Sequence, residues 1–177
     1  MFTNKKVTMR KILILFIFST ILSACGTTPF TPSEHPLRAG LIPQFDVAGT
    51  VVVSNTQAAT GPVFVFAYAG SKLSSDMKAI TEAMVQQTTK EVQKNGRQVS
   101  EGTPKSIALK VNSLFSNYFA FHWKSKIHFQ ATLGDGQVLE FSVPHASGDL
   151  QQDLNGCIAE GVLILLRDTR VRKYLAS

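Results

Sequence analysis

Residues 106–143 have the sequence SIALKVNSLFSNYFAFHWKSKIHFQATLGDGQVLEFSV, in which apolar side chains recur at every second position. This period is typical of a strand with one buried face, because successive side chains point to opposite sides of a sheet. It predicts a strand that begins at Ile107, a long second strand from Phe119 to Leu133, and a third from Leu139 to Val143. Gly134-Asp135-Gly136 supplies the hairpin turn before the third strand.

Two further strands are predicted on the N-terminal side of this region. Phe45 to Val53 alternates between apolar and smaller or polar residues, as a half-buried strand does. A turn-rich stretch, Ser54 to Gly61, follows it. Pro62 to Ala69 is a short apolar run that favours another strand, with an early start of the next helix as the alternative.

Two amphipathic helices are predicted to cover the apolar face of the sheet. The first follows the capping residues Ser74-Ser75-Asp76 and ends at Asn95-Gly96, where the glycine favours a left-handed stop. The second runs from Ser147 to Arg167. The expected fold class is therefore α+β: an antiparallel sheet of about five strands with two amphipathic helices packed on one face, in the order β-β-α-β-β-β-α.

The outward-facing positions of the long strand carry a row of basic and imidazole side chains: His122, Lys124, Lys126 and His128. The preferred interpretation is the wet face of an antiparallel sheet, where such residues are ordinary. The alternative is a binding stripe for lipid phosphates, glycan strands or an acidic protein. A metal site is not expected, because six residues along a strand separate the two histidines by about 20 Å.

The N-terminus predicts export and lipidation. Residues 1–24 combine a basic start with an apolar run from Ile12 to Leu22, about half of the length that a membrane span needs. The run ends in Leu22-Ser23-Ala24-Cys25, which resembles a bacterial lipobox. Acyl chains on Cys25 would anchor the protein to a membrane without a transmembrane helix, and an ordinary signal peptide that happens to contain a cysteine is the alternative.

The sequence after the signal divides into an anchor segment and one domain. Residues 25–44 begin at the lipidated cysteine and contain four prolines, so they are expected to form a tether that reaches roughly 60 Å. Residues 45–177 are expected to form a single α+β periplasmic domain. Four of the 18 basic residues lie in the signal, which leaves 14 against 12 acidic residues. This nearly even charge balance does not predict binding to nucleic acid.

The domain carries no sequence motif of a known enzyme class, no metal-ligand motif and no sign of a cofactor. Cys157 lies on the apolar stripe of the second helix and is expected to be a buried, inert thiol. The one candidate for catalysis is His145 with Asp149, near Ser147, at a junction between a strand and a helix. Ordinary helix capping is the preferred explanation of these residues, and a cell-wall or lipid hydrolase is kept as the alternative function.

The order of elements resembles the YajG-type family of small Gram-negative outer-membrane lipoproteins. The resemblance depends on the lipobox, the segment LKVNSLF at 109–115, the long hairpin, and a final helix that ends in Asp168-Thr169-x-Val171-x-x-Tyr174-Leu175. It implies outer-membrane attachment and an α+β domain without established catalytic residues. Gly26 after the cysteine also favours the outer membrane. The expected function is a non-enzymatic, lipid-anchored accessory domain that faces the periplasm and binds an envelope protein or polymer.

Overall fold

The computed structural model describes residues 26–177. The predicted signal peptide, the lipobox residues Leu22, Ser23 and Ala24, and the proposed lipidation site Cys25 lie outside the described residues. None of the described helices is both long enough and apolar enough to cross a bilayer.

The described chain forms nine strands and three helices. The strands are β1 (Thr27–Pro29), β2 (Phe45–Ala48), β3 (Val51–Asn55), β4 (Pro62–Tyr68), β5 (Ser71–Asp76), β6 (Gly96–Ser100), β7 (Lys105–Phe119), β8 (His122–Leu133) and β9 (Val138–Ser147). The helices are α1 (Met77–Asn95), α2 (Leu150–Arg167) and α3 (Thr169–Ala176). The predicted α+β class is confirmed.

The main sheet has seven strands and is mixed, whereas about five antiparallel strands were expected. β7, β8 and β9 form the predicted antiparallel meander. The other edge of β7 pairs in parallel with β3 along one half and with β4 at Phe66 and Ser116. β5 is antiparallel to β4, and β1 is parallel to β5. A separate two-stranded parallel sheet joins β2 and β6.

The predicted strand from Phe45 to Val53 is wrong, because the chain divides into two strands that belong to different sheets. Gly49 adopts a φ of +80° between them. A Cβ at this position would lie 2.5 Å from the carbonyl oxygen of Gly102, so only glycine fits. The alternation in the sequence continues across this break, which is why it resembled one strand.

The predicted second strand of the hairpin is also too long. β7 extends to Phe119, and Ala120 and Phe121 form a two-residue turn with φ angles of 45° and 70°. Phe119 therefore pairs with His122 across the turn and does not belong to the same strand. Positive φ at both positions is the geometry of a type I′ hairpin, which usually carries Asn or Gly. Ala and Phe are not usual residues at such a turn, so no local pattern predicts it.

The start of α1 is confirmed and its end is corrected. Asp76 caps the helix and accepts a hydrogen bond from the backbone N–H of Lys78 at 2.6 Å. At the other end Gly96 is extended, with φ −78° and ψ 128°, so the left-handed stop is wrong. Gly96 instead begins β6. Strand β5, which leads into the cap, was not predicted, because its polar sequence SKLSSD lacks an apolar period.

The helices pack on one face of the main sheet and bury its apolar positions. Ile80 and Met84 of α1, and Leu154 and Ile158 of α2, are almost completely buried. α3 is tied to the sheet through the Tyr174 hydroxyl, which accepts hydrogen bonds from the backbone N–H groups of Ser106 and Gly134. The predicted cover of the sheet is thus present, with a third helix in addition.

The segment before β2 is docked on the domain, in contrast to the expected extended tether. Phe30 and Ile42 are each 3% exposed and belong to the core. Ser33 and Asn155 of α2 exchange two hydrogen bonds of 3.0 Å, and Gln87 of α1 donates one of 2.8 Å to the carbonyl of His35. The apolar residues among the prolines supply enough buried surface to hold the segment, so it does not reach away from the domain.

Candidate binding surface

The four residues of the predicted stripe occupy one face of β8, opposite the helices. His122, Lys124 and Lys126 are exposed, and His128 is half-buried. Their alternation with the buried residues Ile127, Phe129 and Ala131 places them on the side of the sheet that no described helix covers. We call this side the open face. Its residues come from neighbouring strands as well, which the sequence of β8 alone could not reveal.

Exposed phenylalanines lie beside the lysines of the open face. Lys124 Nζ is 4.6 Å from the ring centroid of Phe119, which is 62% exposed. Lys72 Nζ is 5.1 Å from the ring centroid of Phe64, which is 52% exposed. Both contacts have cation–π geometry. Phe64 and Lys72 reach this face through strand register, so no pattern within one strand predicts them. Phe119 was predicted to lie on the apolar face of the following strand, whereas it ends β7.

The charge of the open face is predominantly positive. Lys110 is exposed on β7 at the position paired with Gln130 of β8, and it adds to the lysines already named. On β9, Glu140 pairs with the other side of Gln130 and contributes a carboxylate. A surface of this kind attracts anionic partners through long-range electrostatics and contacts their apolar groups through the phenylalanine rings.

An aromatic cluster supports the same end of the sheet from the helix side. The Phe66 ring meets Trp123 edge to face with a centroid distance of 4.9 Å. Tyr118 lies 4.7 Å from Trp123 and 5.4 Å from Tyr68. These contacts link β4, β7 and β8 in a part of the covered face where Tyr118 and Trp123 are only half-buried. The cluster therefore fixes the positions of the strands that carry the exposed phenylalanines.

The residues of the alternative hydrolase are not arranged as a catalytic pair. His145 packs against α2, where a Cβ on Gly156 would lie 2.4 Å from His145 Nε2. Asp149 caps α2 and accepts a hydrogen bond of 2.9 Å from the backbone N–H of Gln152. Within residues 26–177 no hydrogen bond joins His145 to Asp149. Ser147 Oγ accepts from the backbone N–H of Asp149, which is capping chemistry.

A depression of about 340 Å³ adjoins His145. It is lined by the docked N-terminal segment from His35 to Arg38 and by Gly156, Ala159 and Glu160 of α2. The depression is open to solvent. The described residues place no group of three His, Cys, Asp or Glu side chains within reach of one metal ion.

A buried polar group lies between the sheet and α2. Asp153 is completely buried and accepts hydrogen bonds from the hydroxyls of Ser116, at 2.7 Å, and Ser125. Its other carboxylate oxygen has no hydrogen-bond partner. Its position in the first turn of α2 lets the helix dipole stabilise the negative charge.

Cys157, one turn further along α2, is buried as predicted. Burial raises the pKa of its thiol to about 12, and the negative charge of Asp153 contributes to the shift. The thiol donates to the carbonyl of Val143 at 3.6 Å. Because the thiolate is the nucleophilic form, a pKa this high makes Cys157 an unreactive core residue.

Comparisons with known proteins leave this surface to be interpreted from its own chemistry. A scan of protein-family models gives no match to the chain, and a search of curated proteins gives none either. The resemblance to YajG-type lipoproteins therefore stays a prediction from the sequence.

Proposed function

We propose that this protein is a non-enzymatic, lipid-anchored lipoprotein of the bacterial envelope, whose domain binds an anionic partner through the open face of its sheet. The anchoring part of the proposal is supported by the lipobox sequence that ends at Cys25. Gly26 after the cysteine favours attachment to the outer membrane, with the domain in the periplasm. The binding part is supported by the geometry of the open face.

The observation that carries the binding proposal is the row of cations on an uncovered sheet. Lys124 and Lys126 are both exposed although they belong to the interior strand β8, whose opposite face is buried from Ser125 to Leu133. A sheet face without a helix over it offers a flat, rigid surface to a partner. The partner class that fits is an acidic envelope protein or polymer, because the face combines positive charge with exposed aromatic rings.

The open face is a better binding surface than the edge of the sheet. β9 is an edge strand, but Pro144 lies within it, at the position paired with Lys126. Proline lacks the N–H that an added strand would need, and it is a common device against edge pairing. The side chains of the open face are therefore the groups available for recognition.

Charge reversal at Lys124 and Lys126 tests the binding proposal. Both side chains are exposed, so Lys124→Glu with Lys126→Glu is expected to leave the fold intact and to reduce the partner recovered by crosslinking in intact cells. A matched control is Lys78→Glu with Lys94→Glu, two exposed lysines of α1 on the other side of the molecule. Equal recovery from wild type and from the open-face variant would disprove this role.

Mass spectrometry of the N-terminal peptide tests the anchoring proposal separately. A peptide that begins at Cys25 and carries diacylglyceryl and acyl additions is the expected result. An unmodified sulfur, or a mature protein that still begins at Met1, would disprove the anchor. The outcome does not depend on whether the open face binds a partner.

A further inference from the structure

The first described strand leads back toward one particular end of the main sheet. β1 is parallel to β5, with Thr27 paired to Lys72, and β5 begins at Ser71 directly after the turn Ala69–Gly70. Traced backwards from Thr27, the chain therefore runs toward the β4–β5 turn. Gly26, which precedes Thr27, is the first described residue and lies at this end.

The turn between β7 and β8 lies at the same end of the sheet. β4 is parallel to β7, and the contact of Tyr68 with Tyr118 shows that both strands reach this end together. Phe119, Ala120 and Phe121 follow directly. Three strand spacings separate β1 from β7, a lateral distance of about 14 Å at roughly 4.8 Å each. We call the part formed by Gly26 and the turns at 69–70 and 120–121 the anchor end.

The anchor end presents apolar side chains at the tip of a strained turn. Phe121 is 89% exposed and is the most exposed large apolar residue of the described chain. It has a φ of 70°, which is unfavourable for a bulky side chain and would suit Asn or Gly. A phenylalanine held at the apex of a turn in this way lowers the stability of the fold, because its ring is exposed to water and its backbone is strained. That cost is offset if the ring enters an apolar phase.

Cations flank these rings at the height where lipid headgroups would lie. Lys124 contacts Phe119, Lys72 contacts Phe64, and His122 is the first residue after the turn. Asp149, two residues after the end of β9 at Ser147, contributes a carboxylate near this end as the cap of α2. Aromatic rings with lysines directly behind them match the interface of an anionic bilayer, where rings enter the acyl boundary and ammonium groups meet phosphates.

We propose that the anchor end rests on the anionic bilayer that holds the lipid, with Phe119 and Phe121 in the interface and Lys124 against lipid phosphates. This inference rests on the proposed lipidation of Cys25. The domain would then stand upright on the membrane, with the strands of the main sheet steeply inclined to its surface. Lys110, Lys126 and His128 would remain above the headgroups and stay available to a partner in the periplasm, so Lys126→Glu alone tests the partner without changing the contact of Lys124 with lipid.

The opposite end of the sheet provides an internal control for this orientation. Val138, beside the turn at 134–136, is 51% exposed and is also a large apolar residue. The eleven residue steps from His122 to Leu133 correspond to roughly 36 Å along β8, more than the thickness of a hydrocarbon core of about 30 Å. In the upright orientation a probe at residue 138 therefore lies well clear of the bilayer surface that residue 121 touches, whereas a sheet lying flat on the membrane would bring both residues to it.

Tryptophan quenching by brominated acyl chains tests the orientation. Trp123 is the one tryptophan of the chain, so Trp123→Phe supplies a silent background. Lipidated protein purified from membranes is placed in vesicles of phosphatidylcholine and phosphatidylglycerol, with Phe121→Trp in one sample and Val138→Trp in the other. Quenching is expected for tryptophan at 121 and to be absent at 138, where an aqueous quencher should act instead.

The possible failures have different signatures. Protein that floats with the vesicles but shows equal quenching at 121 and 138 is anchored and disproves the orientation alone. Protein that does not float with the vesicles and carries an unmodified Cys25 disproves the lipidation and the orientation together. Variants whose far-ultraviolet circular dichroism equals that of wild type show that the substitutions left the fold intact.

A lysine substitution tests the role of anionic lipid. Lys124→Gln is expected to lower about fivefold the ratio of protein whose β7–β8 turn is inserted in the bilayer to protein whose turn is in water. This is the contribution of one lysine near an anionic surface. Lys110→Gln is the matched control, because it lies on the same face in the half of the sheet away from the anchor end. On phosphatidylcholine alone neither substitution should have an effect. Equal effects of both substitutions on anionic vesicles would contradict the role of Lys124.

Discussion

The two faces of the main sheet differ in what lies over them, although they are built from the same strands. On the covered face of β8, Ile127, Phe129 and Ala131 are completely buried beneath the helices. On the open face of the same strand, Lys124 and Lys126 are exposed. Neighbouring residues along one strand therefore have different roles. Those on the covered face stabilise the fold, and those on the open face are available to bind a partner.

The covered face itself changes toward the anchor end. Its apolar positions give way to Ser116 and Ser125, which bind Asp153, and beyond them to the aromatic cluster around Trp123. Tyr68 is 55% exposed and Trp123 is half-buried in this last part of the sheet, so burial is incomplete there. The comparison of the two faces thus predicts large losses of stability for changes under the helices and small ones for changes on the open face.

The largest expected effect is at Phe129. This residue is completely buried and stacks on Phe141 with a centroid distance of 4.9 Å. Phe129→Ala is expected to lower the free energy of unfolding by about 3–5 kcal/mol, because it removes buried apolar surface and leaves a cavity. Chemical denaturation of the purified protein measures the change.

The matched control is the same substitution on the open face. Phe119→Ala removes a ring that is mostly in water, and a change within about 0.5 kcal/mol is expected. If both substitutions cost the same, the open face contributes to folding, and the distinction between the two faces is wrong.

A smaller loss is expected at Asp153. Asp153→Ala leaves the buried hydroxyls of Ser116 and Ser125 without their acceptor, and an unsatisfied buried polar group costs about 1–3 kcal/mol. The loss is expected to exceed the roughly 1 kcal/mol of Asp149→Ala, which removes only a helix cap. Denaturation curves of the two variants, recorded side by side, measure the difference.

A triple substitution sharpens this prediction. Replacing Ser116, Ser125 and Asp153 together with alanine removes donors and acceptor at once, so part of the lost stability should return. A triple variant less stable than Asp153→Ala would show that the serines contribute through contacts other than their hydrogen bonds to the carboxylate.

Local patterns allowed the covered face to be predicted from the sequence. The period of two assigned Ile127, Phe129 and Leu133 to the buried side, because alternation is a property of each strand by itself. The cap at Asp76 was predicted for the same reason, since a side-chain oxygen before an amphipathic run needs only neighbours in the chain.

Features that depend on distant parts of the chain were not predicted. The parallel pairing of β3 and β4 with β7 joins segments about 50 residues apart, and no local pattern encodes it. The prolines of the segment before β2 predict an extended tether, and Phe30 and Ile42 stand too far apart to form an apolar period. Their burial against the domain therefore could not be predicted. The turn at Ala120 and Phe121 was not predicted, because it lacks the Asn or Gly that usually occupies such positions.

The candidate surface was predicted in part. The stripe on β8 follows from alternation within one strand, so its four residues were identified together. The rings of Phe64 and Phe119 and the ammonium group of Lys72 join it through pairing across β4, β5 and β7. Register between strands is a tertiary property, and the combination of cations with aromatic rings became visible only with it.

The smallest expected effect is at the corner where α2 meets α3, on the covered side of the molecule. Asp168 caps α3 and accepts hydrogen bonds from the Arg170 guanidinium at 3.0 Å and 2.6 Å. The hydrogen bond from this side chain holds the pKa of Asp168 below its ordinary value of 3.8. The stability that the carboxylate contributes is therefore complete above pH 3.8, and it is lost as the pH falls through the lower folded pKa.

Asp168→Asn isolates this contribution, because asparagine keeps the cap and gives up the charge. At neutral pH the variant is expected to be less stable than wild type by less than the loss of a helix cap would cost, since solvent screens the half-exposed Arg170. The difference between the two proteins should shrink as the pH falls below 3.8, where the wild-type carboxylate takes up its proton. Thermal unfolding of both proteins is measured from pH 7 to pH 2.5, and a difference that does not change with pH would show that the charge of Asp168 does not stabilise this corner.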